Sequence, residues 1–484
     1  MLNTNHFDNS LNKAKIINPF ALIGIIAFAI LLSFIVSTED ITLSFAIIAL
    51  PLVLFFLNRI FNNLKLGLNF VFVINFVLMG LTRYVNIPSV GMILDGSLIL
   101  IYIAFFFENF YKKFDYSILK NDLVYLSLIW FGFIVLEIAN PEARSVEAWF
   151  ASMRGEALYM VLLIPLIYLM YNKPKNLDTF LLIWGIFTIL GTIKGAQQLI
   201  FKPDMWEQKW LDAGAAKTHI LFGKLRVFSF YTDAGIFGAL QAQGGVVGAI
   251  LFINTKNKIK KYFWLIVAIC GIYGMFVSGT RGAIAVPAAG FLLYIFLNKN
   301  IKIIVTGLVV LGSVFIFLKF TTIGNNNYQI NRMRSAFNSD DASLNVRLNN
   351  QILFANYLKT RPLGGGVGHA GIKAQKYVPN GFLANVATDS WFVMIWAECG
   401  IIGLFLHLFV LFYIIGKGAY IIMFQITNKE LFGKLSALLA GFLGIIGASY
   451  GNAVLGQFPI HLLCYASMAF IFLGPKLEKD LQKK

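Results

Sequence analysis

The chain has 484 residues, of which 58% are hydrophobic and 13% charged, and 47 are phenylalanine. No single soluble core of this length hides so much apolar surface, whereas a bilayer solvates it. The net charge of +17 does not indicate nucleic acid, because the basic residues punctuate apolar blocks and do not gather in one domain.

The apolar blocks run to about 17–25 residues, the length an α-helix needs to cross about 30 Å of hydrocarbon. The alternation of a β-barrel is absent. In chain order, spans are expected near 19–37, 41–58, 67–82, 91–107, 121–138, 157–171, 179–200 and 232–253. They continue near 262–278, 282–297, 303–319, 390–415, 434–452 and 459–474. The expected fold class is all-α: a polytopic integral membrane protein with about 14 transmembrane helices (roughly 12–14), and a long, partly helical loop between the eleventh and twelfth. The first block follows Lys13 and Lys15, lacks a small-residue cleavage site, and reads as an uncleaved first span. Four regions result: N-terminal spans over 1–200, spans bearing arginine motifs over 201–319, the large loop over 320–389, and C-terminal spans over 390–484.

Lysines orient these spans. With the N-terminus in the cytoplasm, Arg59, Lys65, Lys112, Lys113 and Lys120 fall on that side. So do Lys173, Lys175, the cluster Lys256 to Lys261, Lys299, Lys302, Lys417, Lys429, Lys434 and the C-terminal lysines. This is the bias that membrane insertion imposes on short loops. The other face receives three longer loops, 139–156, 201–231 and 320–389, rich in Gly, Asn, Asp and Arg. In the largest, Leu344, Leu348 and Ile352 recur at helical spacing and predict a helix over 341–359. Arg361-Pro362 and the run Gly364 to Gly366 end it.

The external segments carry the candidate chemistry. Arg226 precedes Phe228-Ser229-Phe230, and Arg281 lies in the turn Ser278-Gly279-Thr280-Arg281-Gly282-Ala283. Arg154 precedes the sixth span, and Arg347 lies on the loop helix. An arginine near the membrane interior costs about 2.5–3.5 kcal/mol on insertion scales, so it sits at the interface or has a partner. Taken singly, each arginine is explained by snorkelling or by capping a helix. Together, Arg226 and Arg281 suit a diphosphate, because guanidinium offers planar, permanently charged, bidentate donors. Acid–base candidates are Asp389, where the large loop enters a span, and His369 and His219 in external loops. Asp233 opens the eighth span, where an N-cap explains it equally well. Glu398 lies within a span, where carboxylates pair or serve. Cys270, Cys399 and Cys464 all lie in apolar segments without metal-ligand spacing, so neither a disulfide, a metal nor a cofactor is expected.

In order and topology, these pieces resemble the O-antigen ligase and O-antigen polymerase superfamily of bacterial envelope enzymes. The resemblance covers residues 225–405 and the flanking spans by hydropathy only. It rests on Arg226 before Phe228-Ser229-Phe230-Tyr231 and on the turn Ser278 to Ala283. It rests further on Ser343 and Arg347 followed by Pro362 and Gly364 to Gly368, and on Glu398, Gly400 and Gly403. Ligases of this group carry His-Asn where this chain has Asp389-Ser390, and an aspartate there is more typical of polymerase-like members. The resemblance implies metal-independent transfer, with inversion, of a glycan from undecaprenyl diphosphate. In that scheme Arg226 and Arg281 stabilise the leaving diphosphate, and Asp389, with His369 in reserve, handles the acceptor hydroxyl. Arg154, Arg347, His369, Glu398 and Asp233 are the further substrate-binding candidates.

It also implies an inner-membrane location, cytoplasmic termini, a periplasmic active site and a periplasmic large loop. The acceptor is a glycan, a lipid A core or a secreted protein; the sequence leaves polymerase, ligase and protein O-oligosaccharyltransferase open. A transporter of lipid-linked glycan is the competing class, although polar groups crowding one face and the lack of an internal repeat weigh against it.

Overall fold

The computed structural model describes residues 54–55, 57–85, 91–337 and 342–483, the side chains of 342–344 excepted. It divides into residues 1–66 and residues 67–484. In the first unit, 54–55, 57–62 and 64–66 are helical. The second carries the fold described below.

The long helices among the described residues are α1 (Leu64–Leu81), α2 (Gly91–Tyr111), α3 (Asp122–Leu136), α4 (Val146–Met153), α5 (Tyr159–Met170) and α6 (Pro174–Ile200). They continue with α7 (Ala234–Asn254), α8 (Lys258–Val277), α9 (Ala285–Leu297), α10 (Ile301–Phe320) and α11 (Ala342–Leu358). The last are α12 (Trp391–Gln425), α13 (Lys429–Gly451) and α14 (Ile460–Phe472). Among the described residues the strands are one two-stranded antiparallel pair, Ile220–Leu221 with Lys224–Leu225. Ten helices among those residues are long and apolar enough to cross a membrane, and a pair bent by 55° at Leu473 makes up to eleven. The apolar segment Arg281–Leu297 is shorter. The chain is an all-α polytopic membrane protein.

Each expected span from 67–82 onward overlaps one of these helices. The first two, 19–37 and most of 41–58, lie outside the described residues. One boundary moves substantially: the span expected at 157–171 begins at Val146, and the loop expected over 139–156 shrinks to 140–145. Ser145 caps this helix by accepting from Ala148 N at 3.2 Å. A π-helical turn at Arg154–Leu158 then joins α4 to α5. The charges of Glu147, Arg154 and Glu156 hide the segment in a hydropathy reading.

The core is built on small residues. Helix α7 is buried along nearly its whole length, and α13 is almost as enclosed. Gly245 meets the backbone of Gly271 and Ile272 on α8, and Gly248 lies against Ala268 N. Gly290 of α9 meets Ala440 O of α13, and Gly444 meets Val286 O in return. Lipid offers no hydrophobic drive between helices, so close backbone approach through small residues supplies the packing. The buried Gln241 of α7 is satisfied by Thr188 O at 3.2 Å and the Thr192 hydroxyl at 3.3 Å. Helix α10, by contrast, is almost wholly exposed, as a peripheral, lipid-facing helix is.

Helix α12 is broken at Gly400, whose φ of 64° is left-handed. The break frees two carbonyls, and the glycine run of the large loop takes them. Gly365 N donates to Ala397 O and Gly366 N to Glu398 O, each at 2.9 Å. A side chain at Gly400 would strike Pro362 O, so Gly-rich turn and broken helix interlock only without one. The predicted loop helix is present as α11, but its stripe differs. Leu348 and Ile352 are exposed, while Phe354 and Leu358 are buried with Ala370, Leu383 and Ala397.

The α7–α8 contact yields a test. A methyl group at Gly271 would lie 2.5 Å from Gly245 Cα, so Gly271→Ala should cost roughly 1–3 kcal/mol through overpacking. Gly96→Ala, which meets open space, should not lower stability. Thermal unfolding of both variants in one detergent checks this.

Candidate functional site

The loops around 201–233, 278–282 and 321–390 come together. There the turn Ser278 to Gly282 gathers arginines from four places. Arg226 Nη2 donates to Thr280 Oγ1 and Nη1 to Thr218 O, both at 3.0 Å. Arg281 donates to Ser335 Oγ at 3.5 Å. Arg332, from the short helix Tyr328–Arg334, donates to Gly279 O at 3.4 Å. Arg347 on α11 approaches Gly451, which itself touches Gly282. Burial lowers the Arg226 pKa, and the charges of Arg332 and Arg281 lower it further against the pull of Asp233. In this cluster of like charges Arg226 Nε is buried without a hydrogen-bond partner among the described residues, and guanidinium donors of this kind suit an anion.

The segment from Arg226 to Asp233 is held in an unusual shape. Ser229 has a φ of 52°. Gln198 accepts from Phe228 N and Ser229 N at 3.3 and 2.9 Å, and Ser229 Oγ donates to Gly191 O at 2.8 Å. From the other side Arg83 donates to the carbonyls of Ser229 (2.9 Å), Tyr231 and Thr232 (3.2 Å). Its guanidinium lies 4.5 Å from the ring centres of both Trp210 and Phe228. Burial lowers its pKa to about 10, so it stays charged at neutral pH. Asp233 then caps α7, accepting from Gly235 N at 2.6 Å and Ile236 N at 2.9 Å. Its carboxylate is thus a helix cap facing the arginine cluster.

A cavity of about 650 Å³ adjoins this cluster. Its lining includes Arg154, Glu156, Thr232, Lys373, Asp389 and Glu398. The seam between cavity and cluster is the end of α13: Ser449 O accepts from Ser390 Oγ at 3.2 Å, Gly451 faces Gly282 and Arg347, and Asn452 lines the cavity. Asp389 sits on this seam with a left-handed φ of 51°. A non-glycine residue there is uncommon, and such strain concentrates at functional sites.

The π-turn explains another part of the lining. In an α-helix, residues 154 and 156 point to nearly opposite faces; the widened turn lets Arg154, Gly155, Glu156 and Tyr159 all border the cavity. Trp130 Nε1 and the Tyr465 hydroxyl satisfy the carbonyls of Glu156 and Gly155 at 2.9 and 3.1 Å. Arg154 is paired with Asp95 at 2.7 Å, and Tyr159 donates to the same carboxylate. Lys373 enters from the loop side, donating to Gln457 Oε1 at 3.3 Å. The protein around it lowers its pKa, opposed by Asp233 and Glu398.

The structure therefore brings Asp389, Glu398 and Arg154 to one cavity, and Arg226, Arg281 and Arg347 to the adjoining cluster. It sets His369 apart. His369 Nε2 accepts from Arg144 N and Ser145 N at 2.9 and 3.1 Å, and Nδ1 faces Val367 O at 3.0 Å. With both nitrogens spent on backbone it clasps the 140–145 loop to the glycine turn, a structural place in contrast to the expected substrate-binding one. His219 is engaged in the same way by Ala234 N and Ala215 O. Glu156, Lys373, Arg332, Arg83 and Asn452 were missed in the sequence. Arg332 had the visible signal of an arginine in an external loop; the others become part of the site only through the fold.

Residues 266–408 match the family model described as O-Antigen ligase. An O-antigen polymerase of Salmonella muenchen is 24% identical over 333 residues, covering 66% of this chain and 80% of that protein. Over the matched region the chain is thus similar to the O-antigen ligase and polymerase superfamily. The matched family region holds Arg281, Arg332, Arg347, Asp389, Glu398 and the glycine turn, whereas Arg154, Glu156, Arg226 and Asn452 lie outside it.

Arg83 offers a test of the support beneath the site. Arg83→Ala should lower stability by roughly 3 kcal/mol, because three carbonyls lose a charged donor and two rings lose their cation. Arg83→Lys should recover only part of that, since an ammonium cannot span three acceptors in a plane. Chemical unfolding followed by tryptophan fluorescence measures both.

Proposed function

We propose that this protein is a membrane glycosyltransferase of the O-antigen superfamily that extends a glycan on its polyprenyl-diphosphate carrier. The observation that carries this reading is the convergence of Arg226, Arg281, Arg332 and Arg347 beside a cavity with Asp389 on the shared seam. In this reading the donor diphosphate lies on the arginine cluster and its polyprenyl tail stays among the helices. The acceptor hydroxyl enters from the cavity and its oxygen attacks the anomeric carbon, inverting it. The bond from that carbon to the diphosphate oxygen breaks, the electron pair leaves with the diphosphate, and the hydroxyl proton passes to the Asp389 carboxylate. The arginines stabilise the departing charge in a poorly hydrated site, where fixed donors count for more than in water. Among the chain's own groups this scheme uses the arginines and the Asp389 carboxylate.

Two features favour chain extension over ligation to lipid A core or protein. Asp389-Ser390 stands where ligases of this group carry His-Asn, and the relative matched over most of its length is named a polymerase. The carrier is assigned as undecaprenyl diphosphate and the site to the periplasmic face. The distribution of lysines supports that side: Lys173 with Asp480, Lys434 with Asp178, and Lys299 all lie at the opposite end of the bundle.

In a deletion strain, gels and mass spectrometry of carrier-linked glycans should show single repeat units accumulating. Arg281→Ala, produced at normal membrane abundance, should fail to restore long chains. Long chains stranded on the carrier would instead mean ligation to lipid or protein, and an unchanged profile would favour transport.

Asp389→Asn isolates the carboxylate, because asparagine also tolerates a left-handed backbone. It should reduce transfer on the order of 10²–10⁴-fold at unchanged abundance. Asp389→Ala adds backbone strain to the same loss and should also lower thermal stability.

A further inference from the structure

In-line displacement fixes where the first sugar of the donor lies. Its anomeric carbon stands between the oxygen that leaves and the oxygen that attacks. That sugar therefore sits between the arginine cluster and Asp389, where the cluster gives way to the cavity.

Two uncharged polar side chains stand at this boundary, one on each wall, and both are half-buried. Thr232 lines the cavity, and the next residue, Asp233, is close enough for its charge to act on Arg226. Asn452 lines the cavity as well, and Gly451 before it is approached by Arg347 and Gly282. Asn452 Nδ2 occupies the space that a side chain at Gly235 would need, so the carboxamide rests on the first turn of α7, the helix that Asp233 caps. The start of α7 thus holds Thr232 and Asn452 together at the seam.

The fold alone gives the Thr232 hydroxyl no work. Its carbonyl is held by Arg83 at 3.2 Å, which fixes the backbone, yet Thr232 Oγ1 is buried with no hydrogen-bond partner among the described residues. An unmet buried hydroxyl costs stability, and valine of the same shape escapes that cost. A threonine here, bordering a cavity of about 650 Å³, points to a partner that arrives with the substrate. A hydroxyl and a carboxamide each donate and accept, as the hydroxyl and acylamino groups of a sugar do. Position selects that partner, because charges of both signs line the cavity.

We infer that Thr232 and Asn452 form the subsite for the first sugar of the donor, the one joined to the diphosphate, and select it by its hydroxyl or acylamino groups. The inference rests on the transferase reading and deepens it: the arginines hold the diphosphate, and these two side chains hold the sugar that is transferred.

The test uses the full-length protein in lipid nanodiscs, without acceptor. Two probes differ only in the sugar: undecaprenyl diphosphate, and the same lipid carrying the first sugar of the repeat unit. Calorimetry should show the wild type binding the glycosylated lipid more tightly. Thr232→Val and Asn452→Ala should each weaken that binding about 3–10-fold, the loss of one hydrogen bond, and leave undecaprenyl diphosphate binding unchanged. Thr232→Ser, which keeps the hydroxyl, should bind as the wild type does, and Arg281→Ala should weaken both lipids. Thr232→Val should also unfold at or above the wild-type temperature; a lower temperature would assign the hydroxyl to the fold and remove Thr232 from the subsite. Should one variant fail to fold, the other carries the same comparison. Variants that bind the glycosylated lipid like the wild type overturn the subsite, as do variants that lose both lipids equally. Lengthening of carrier-linked repeat units by the wild type is measured alongside. Its absence overturns the transferase whichever lipid binds, and its presence with unaltered variants overturns the subsite alone.

Discussion

The site depends on one interlock: the glycine turn of the large loop seated in the break of α12. Gly400 ends the regular hydrogen bonding, and the two carbonyls it releases would be costly to leave unmet. The amides of Gly365 and Gly366 meet them. That exchange fastens the long loop to an apolar helix at its break. It fixes Glu398 at the cavity wall, since Ala370 just beyond the turn donates to its carboxylate. It also fixes His369, which reaches outward and holds the 140–145 loop ahead of the π-turn. Loop, broken helix and π-turn are therefore one mechanical unit, and the cavity is the space they enclose.

Arginines gather on the Gly279–Gly282 side of the end of α13, while the cavity on the other side is bordered by both signs, Glu156, Glu398 and Asp389 with Arg154, Lys373 and Lys376. Of the cavity cations, Arg154 is paired with Asp95, Lys373 donates to Gln457, and Lys376 lies 5.4 Å from the ring centre of Tyr377. Asp389 and Ser390 dock on the seam through Ser449, where the two substrates meet in the transferase scheme.

Both approaches to the seam are held in conformations that local preference disfavours. Ser229 and Asp389 are left-handed non-glycine residues, one on the arginine side and one on the cavity side. Arg83, Gln198 and Gly191 over-determine the first; the second rests on the start of α12. Strain of about 1–3 kcal/mol persists only where surrounding bonds enforce it.

The all-α membrane architecture was legible in the sequence because hydrocarbon thickness sets span length and insertion biases lysine placement, both one-dimensional signals. Arg226, Arg281, Asp389 and Glu398 were legible because a charged or polar residue beside an apolar block stands out. The early start of α4 was not, since Arg154 and Glu156 interrupt the apolar run and their partners, Asp95 and Glu398, lie far away along the chain. Nor was the clasp of His369, which depends on amides 224 and 225 positions away. The exposed side of α11 likewise followed from which neighbour it met, and its own periodicity pointed the other way. Composition and periodicity decided the kind of protein this is; the pairing of Glu156 with Glu398, the arginine convergence and the seam between them were decided by tertiary contact, because groups far apart along the chain can share a site only after the helices have packed.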